Sequence, residues 1–313
     1  MTDLHSSVNG RYPSLEPEGA LGGGGDLWSV DHLGSIIDRR LRLLVPGTQI
    51  PPHRLHQAMN YTLLAPGKRL RPLLAMLTSF HFGRRDLVAL DAACAIEMVH
   101  AASLVIDDLP AMDNSELRRG QPTVHRQFGH DIAILSGIAL LNHAFAVVAS
   151  AQSIEDAVKT DIIRVLAAAV GSNGLVGGQV MDLREPSEDR AKLEKLNQLK
   201  TAALFAASAE VGALAAGVCD DHLIGARRFG TELGLALQIL DDLIDDPVFA
   251  GRTGKDTGKD ERKPTLPSVL GKDMARVILE QHMQSARDCI SGIGIANSPL
   301  VGFVDAKFAK FPN

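Results

Sequence analysis

Residues 132–151, IAILSGIALLNHAFAVVASA, run without a formal charge, and residues 201–219 carry only Glu210. Apolar runs of about twenty residues have two homes: a bilayer, or the centre of a helical protein large enough to surround them. The first run holds Asn142 and His143 at its middle, and neither run is flanked by the Trp/Tyr belt of a membrane interface. Both are therefore read as core helices of a bundle, apolar on all sides, and not as membrane spans. Composition agrees: 45% of the 313 residues are hydrophobic but only 4% are aromatic, whereas strands favour aromatic and β-branched side chains.

The rest of the pattern is helical almost throughout. Helices are predicted over about 31–45 (capped by Asp31 and ended by Pro46-Gly47), 53–63, from 69 onward with Pro72 in the first turn, and 86–107. Further ones are predicted over about 130–150, 155–171, 174–184, 189–216, 220–247 and 272–290. No hairpin signal, alternating β pattern or fixed-period repeat stands out. The predicted fold class is all-α, a helical bundle with one core. Length alone favours about two domains, but no change of composition divides residues 31–313, which are expected to form one. Residues 1–30, with Pro13, Pro17 and the run Gly22–Gly25, are expected to be a mobile tail. That tail has no secretion-signal pattern, and Cys94, Cys219 and Cys289 are odd in number and widely spaced. Both features point to a reduced, cytoplasmic setting with buried thiols. The net charge of −5 argues against a nucleic-acid partner.

Two acidic clusters interrupt this apolar background. Asp107-Asp108-Leu109-Pro110-Ala111-Met112-Asp113 ends one apolar helix, where Pro110 disfavours helix at Leu109 and the turn can carry Asp113 back beside Asp107. In LQILDDLIDD, Gln238, Asp241, Asp242 and Asp245 share one stripe of a second helix. Like charges at that spacing destabilise a helix. Either stripe alone reads as a solvated face. A pair on two apolar helices suits Mg²⁺, which binds through one or two carboxylates plus substrate phosphates. Basic groups complete the pattern: Lys68-Arg69-Leu70-Arg71 at a helix start, Arg118-Arg119, Lys200-Thr201, and a Gly-rich stretch bearing Arg252, Lys255, Lys259, Arg262 and Lys263. Arginine forks and lysine point charges both serve phosphate oxygens. His100, seven residues before Asp107, lies on the same helix face, and Ser103 projects within about 40° of Asp107. The set describes a site for two diphosphates.

These segments resemble the trans-isoprenyl diphosphate (polyprenyl) synthases, most of all the bacterial geranylgeranyl diphosphate synthases. The resemblance runs from Gly67-Lys68-Arg69-Leu70-Arg71-Pro72 to about residue 271. It rests on HAASLVIDDLPAMDNSELRRGQPTVH, GGQVMDL at 177–183, Lys200-Thr201, LQILDDLIDD and GKDTGKDERKPTLPSVLG. It implies an all-α fold around a deep cavity, a homodimer, and head-to-tail joining of isopentenyl diphosphate to an allylic diphosphate. It assigns Mg²⁺, about three ions, to Asp107, Asp108 and Asp113 and to Asp241 and Asp245, with Asp242 part of the second motif. It places Arg118, Lys200, Thr201, Gln238, Lys255 and Lys263 on the allylic diphosphate, and Lys68, Arg71, His100 and Arg119 on isopentenyl diphosphate. Gln179 and Asp182 match a supporting motif. Lys200 joins the Asp motifs as a catalytic group.

By the same resemblance, residues four and five before the first Asp limit product length when they are bulky. Here they are Ser103 and Ala102, both small, which implies a C20 product. Helical projection supports Ser103 as cavity-lining but puts Ala102 about 140° away. A C15 product is the runner-up, because another helix can supply a floor. A class I terpene cyclase and a non-catalytic partner subunit are weaker alternatives: the second motif is all Asp, and both motifs are intact. Two departures stand out. Arg262-Lys263-Pro264 replaces a Gly-Lys-small pattern, and the C-terminus GFVDAKFAKFPN is not strongly basic.

Overall fold

The computed structural model describes residues 29–84, 86–244, 263–294 and 298–308. Most of the predicted tail, together with Asp245 and Lys255, lies outside them. The chain opens with α1 (Val30–Leu44), α2 (His53–Leu63), α3 (Leu70–His81) and α4 (Leu90–Asp107). Next come a two-stranded ribbon, β1 (Leu117–Arg118) and β2 (Gln121–Pro122), then α5 (Val124–Phe128), α6 (His130–Ser150), α7 (Asp156–Val170), α8 (Leu175–Arg184) and α9 (Arg190–Asn197). A π-helical turn, Gln198–Ala202, leads into α10 (Ala203–Ala216) and α11 (Asp220–Ile244). The last helices are α12 (Leu266–Leu270), α13 (Lys272–Ser291) and α14 (Pro299–Phe308). The all-α expectation holds.

The two uncharged runs are α6 and α10, and they behave differently. Ten of the fourteen residues of α10 are buried, because it is wedged between α3, α7 and α11. By contrast α6 packs one side along α4 and leaves Ile134, Leu135 and Ile138 exposed at 43%, 51% and 52%. Both helices are long and apolar enough to cross a bilayer by composition alone. Interior packing explains that apolarity for α10, and half of it for α6.

Several local expectations need correction. Helix α1 is capped by Ser29, whose side chain accepts the His32 N–H at 3.3 Å, and Asp31 sits in the first turn. The fourth predicted helix begins at Leu90, not residue 86. The predicted helix 189–216 is broken by the π-helical turn, and short helices α5, α12 and α14 were not foreseen. A hairpin does exist, with Arg118 opposite Gln121. Its two central residues, Arg119 (φ 54°) and Gly120 (φ 76°), both hold the positive φ that a tight hairpin turn demands. Arginine is an uncommon choice there, which hid the signal. Cys94 is buried as expected, but Cys219 is exposed in the connection between α10 and α11, and Cys289 is half-buried.

The core is continuous through α1, α3, α4, α10, α11 and α13. Around it the end of α4, the start of α3, the hairpin, α8, the π-helical turn and the last turns of α11 bring the predicted polar residues together.

Candidate active site

The first acidic cluster forms as its proline requires. Helix α4 ends at Asp107, and the turn folds back until the Asp113 N–H donates to the Asp107 carbonyl at 2.9 Å. Asn114 closes the loop at φ 48°, a conformation that Asn tolerates better than most residues. Burial lifts the Asp107 carboxyl to about 6, with Asp113 and Asp108 adding to the rise against the pull of Lys200 and Arg118. Asp108 is 3% exposed, and burial raises it too, even though Arg118 grips it through Nη2 at 2.5 Å and Nε at 3.0 Å. This cluster holds more buried negative charge than its cations settle.

Opposite lies a lysine-centred group. Lys200 projects from the π-helical turn and donates to Asp182 at 2.5 Å. Lys263 donates to the same Asp182 oxygen at 2.9 Å and to Asp113 at 3.0 Å. Burial alone would raise the Asp182 carboxyl, but Lys200 and Lys263 together hold it below its ordinary value. Likewise burial opposes the Lys263 charge, and Asp182 and Asp113 more than restore it. Asp182 rides on α8, which reaches the π-helical turn because Gly178 has no side chain: a Cβ there would stand 2.5 Å from the Lys200 backbone nitrogen. Insertions of this kind re-aim side chains and recur at functional sites. Beside Lys200, the Thr201 hydroxyl donates to Gln238 at 2.7 Å, and the Gln238 amide donates to Asp242 at 2.7 Å. The second motif is thereby tied to the turn that carries Lys200.

The third group is rich in arginine. Arg71 lies 4.3 Å above the Phe205 ring, and its Nη1 sits 3.4 Å from His100 Nε2. Burial lowers Arg71 to about 10, opposed by Glu97 and Asp241 and reinforced by Arg119. The same burial, with Arg71, Arg119 and Arg118 nearby, holds His100 well below the ordinary imidazole range, so it is neutral at pH 7. Arg119 is lowered by burial as well. A narrow crevice runs beside this group, lined by Glu97, His100, Asp108, Arg118, Arg119 and Tyr61 among others. Lys68 is exposed at the start of α3.

The structure thus gathers Asp107, Asp108, Asp113, Arg118, Lys200 and Lys263 into one network and Arg71, His100 and Arg119 into a neighbouring one. Asp241 acts favourably on the Arg71 charge. Sequence reasoning named Arg69 in its basic run without a separate role and missed Glu97, with which it pairs at 2.9 Å. Glu97 had a visible signal, as a lone acid in an apolar stretch three residues before His100. Ser103 is half-buried and donates to the His100 carbonyl at 2.9 Å. Ala102 is 4% exposed, where α4 meets α6.

A model of the polyprenyl synthetase family matches residues 52–291. The chain belongs to that family. Among its relatives is a geranylgeranyl diphosphate synthase of Pantoea ananas, 39% identical over 90% of this chain and 93% of that protein. Solved structures with the same fold include a geranylgeranyl pyrophosphate synthetase of Pyrococcus horikoshii, 30% identical with a TM-score of 0.80, matching 91% of this chain and 97% of that one. Another is a Helicobacter pylori geranyltransferase solved with magnesium and isoprenyl diphosphate, 27% identical with a TM-score of 0.80, over 90% of this chain and 97% of that one.

Proposed function

We propose that this chain condenses isopentenyl diphosphate with allylic diphosphates of five, ten and fifteen carbons and releases geranylgeranyl diphosphate. The observation that carries the reading is the presence of two separate cation sets, Lys200/Lys263 around Asp182 and Arg71/Arg119 around His100. One diphosphate needs one such set, whereas a condensation of two diphosphates needs both. Kinship with the Pantoea enzyme over most of both chains supports the C20 product, as do the small side chains of Ala102 and Ser103.

The donor set fits Mg²⁺. Burial raises the Asp107 carboxyl to about 6 against the pull of Lys200 and Arg118, so those two cations only partly settle its charge. Among the described residues no three acidic, His or Cys side chains meet closely enough to hold an ion unaided. That suits a cation which keeps waters and takes phosphate oxygens as ligands. Asp107, Asp108 and Asp113 of the first motif and Asp241 of the second would hold it, with Asp245, outside the described residues, expected to join them. When bound, Mg²⁺ stabilises the negative charge that grows on the departing diphosphate.

The chain's own residues do the rest. Arg118, Lys200, Thr201, Gln238, Lys255 and Lys263 orient the allylic diphosphate, with Lys200 and Lys263 exchanging Asp182 for phosphate oxygens. Lys68, Arg71, Arg119 and the neutral His100 hold isopentenyl diphosphate, each by donating to its oxygens. Apolar side chains of α4 and α10 keep water from the allylic cation until the alkene attacks. The departing diphosphate can take the final proton, so no protein base is needed.

The exposed Ile134, Leu135 and Ile138 face of α6 is the surface on which we place a homodimer contact. We also take the enzyme to be cytoplasmic, with no nucleic-acid partner. Incubation with isopentenyl diphosphate and each allylic diphosphate, with products resolved by chromatography, tests the reading. A C20 end product is expected; a C15 end product overturns the chain-length assignment, and a cyclised hydrocarbon overturns the reaction.

A further inference from the structure

We propose that Glu97 is the positioning residue of the arginine-lined diphosphate site: a buried carboxylate, anchored by Arg69, that holds Arg71 and Arg119 ready for isopentenyl diphosphate. The proposal rests on the function proposed above and adds to it a residue that touches no substrate.

Burying a carboxylate is costly unless it is paired and hydrogen-bonded. Glu97 is 3% exposed and sits in a helix whose neighbours on either side, Ile96 and Met98, are 0% exposed. Its Oε1 accepts from Arg69 Nη1 at 2.9 Å. Arg69 is itself immobilised, with Nε on Asp38 at 2.8 Å and Nη2 on the Ala65 carbonyl at 2.9 Å. Arg69 is also the N-cap residue of α3, two positions before Arg71, so the anchor and the phosphate ligand share one rigid helix start. On α4, Glu97 lies one turn before His100 and lines the same crevice as His100, Arg118 and Arg119.

The charges explain why a carboxylate is needed there. Arg71 and Arg119 are both half-buried, and Arg119 repels Arg71. His100 beside Arg71 is neutral and adds no positive charge of its own. Glu97 is the carboxylate that acts favourably on both guanidiniums. The Arg71 Nε is buried without a hydrogen-bond partner, an open donor of the kind that an incoming phosphate oxygen satisfies. A carboxylate in direct contact with a diphosphate would repel it. Held by Arg69, Glu97 eases the repulsion between the two forks and leaves the open Arg71 Nε donor to the substrate.

The test is steady-state kinetics of the full-length enzyme, varying isopentenyl diphosphate and the fifteen-carbon allylic diphosphate separately, on wild type, Glu97→Gln, Glu97→Asp and Arg69→Lys. Glu97→Gln keeps the shape and removes the charge. It should raise KM for isopentenyl diphosphate about tenfold, while KM for the allylic partner stays within about twofold. Glu97→Asp should fall between it and wild type, and Arg69→Lys should shift the same constant in the same direction. A fall in the isopentenyl KM of Glu97→Gln would mean that relief of repulsion dominates, and overturns the proposal. An unchanged KM with a lowered melting temperature would make Glu97 structural only, and overturns it equally. If Glu97→Gln does not fold, Glu97→Asp and Arg69→Lys are judged by the same isopentenyl-to-allylic split. A wild type that does not consume isopentenyl diphosphate refutes the enzymatic reading itself, which a normal variant KM does not.

Discussion

The two halves of the site solve the problem of buried charge in opposite ways. In the lysine half, Lys200 and Lys263 share Asp182, and Lys263 also reaches Asp113, so each cation already has a carboxylate partner. In the arginine half, Arg71 and Arg119 are favoured by the charge of Glu97, and the Arg71 Nε is unfilled. Lysine is a compact point charge on a flexible stem and trades partners readily. Arginine is a planar fork whose geometry must be set in advance. The lysine half is therefore a set of exchangeable ion pairs, and the arginine half is a prebuilt socket. An enzyme that must bind a new diphosphate on one side and release a spent one on the other gains from having one of each.

The sharpest way to break this comparison is to remove the acids that both halves adjoin. Asp107→Ala and Asp241→Ala should each lower kcat by about a thousandfold or more while the protein stays folded, because electrostatic stabilisation of the leaving group is usually the largest single contribution. Near-normal turnover in either variant, with folding checked by circular dichroism, would sink the two-cluster reading. Next in size is the socket itself. Arg71→Ala should raise KM for isopentenyl diphosphate about a hundredfold, as expected for losing a buried charge-assisted contact. Lys263→Ala should raise the allylic KM by only about tenfold, since Asp182 keeps Lys200 in place. Equal effects of the two substitutions on both substrates would erase the distinction between the halves.

How much of this was legible beforehand follows the same division. The Asp clusters and their cations were readable because sequence-local spacing places them: Pro110 bends the chain so that Asp113 meets Asp107, and helical periodicity aligns Gln238 with Asp242. What was illegible depends on tertiary approach. The bond from Lys263 to Asp182 spans 81 positions and that from Arg69 to Glu97 spans 28, and no period relates their partners. The π-helical turn that aims Lys200 arises where α8 presses through Gly178, so the segment alone reads as uninterrupted helix. The hairpin escaped because Arg119 takes a backbone conformation that its side chain disfavours.

Ser103 probes the space between the halves. Its half-buried position one turn before Asp107 predicts that Ser103→Phe shifts most of the product to fifteen carbons or fewer, with turnover reduced only a few-fold. Product distribution by chromatography decides it. Unchanged C20 output would place the floor of the cavity on another helix, and would separate chain length from the end of α4 altogether.

The smallest effect is a contrast in pH dependence between two aspartates of one site. Asp107 titrates near 6 in the folded chain and at an ordinary 3.8 when unfolded. The folded state thus binds more protons between those values, so this group's contribution is most favourable below about pH 4 and is lost as pH rises through about 6. Replacing it with Asn, uncharged at every pH, should stabilise the metal-free protein at pH 7.5 by about 1–2 kcal/mol, after discounting the full shift for partial access to water. The gain should vanish toward pH 4. Asp182 runs the other way, because Lys200 and Lys263 hold its folded value below the ordinary one. Its contribution is present above the ordinary value and is lost as pH falls through the folded one, so Asp182→Asn should cost about 2 kcal/mol at pH 7.5 and progressively less in acid. Urea melts of both variants at pH 5 and 7.5, in chelator-treated buffer, read the two slopes directly. Slopes of the same sign would mean that Asp107 is already neutralised by the lysines, and the acid cluster would then have no unmet charge for a metal ion to satisfy.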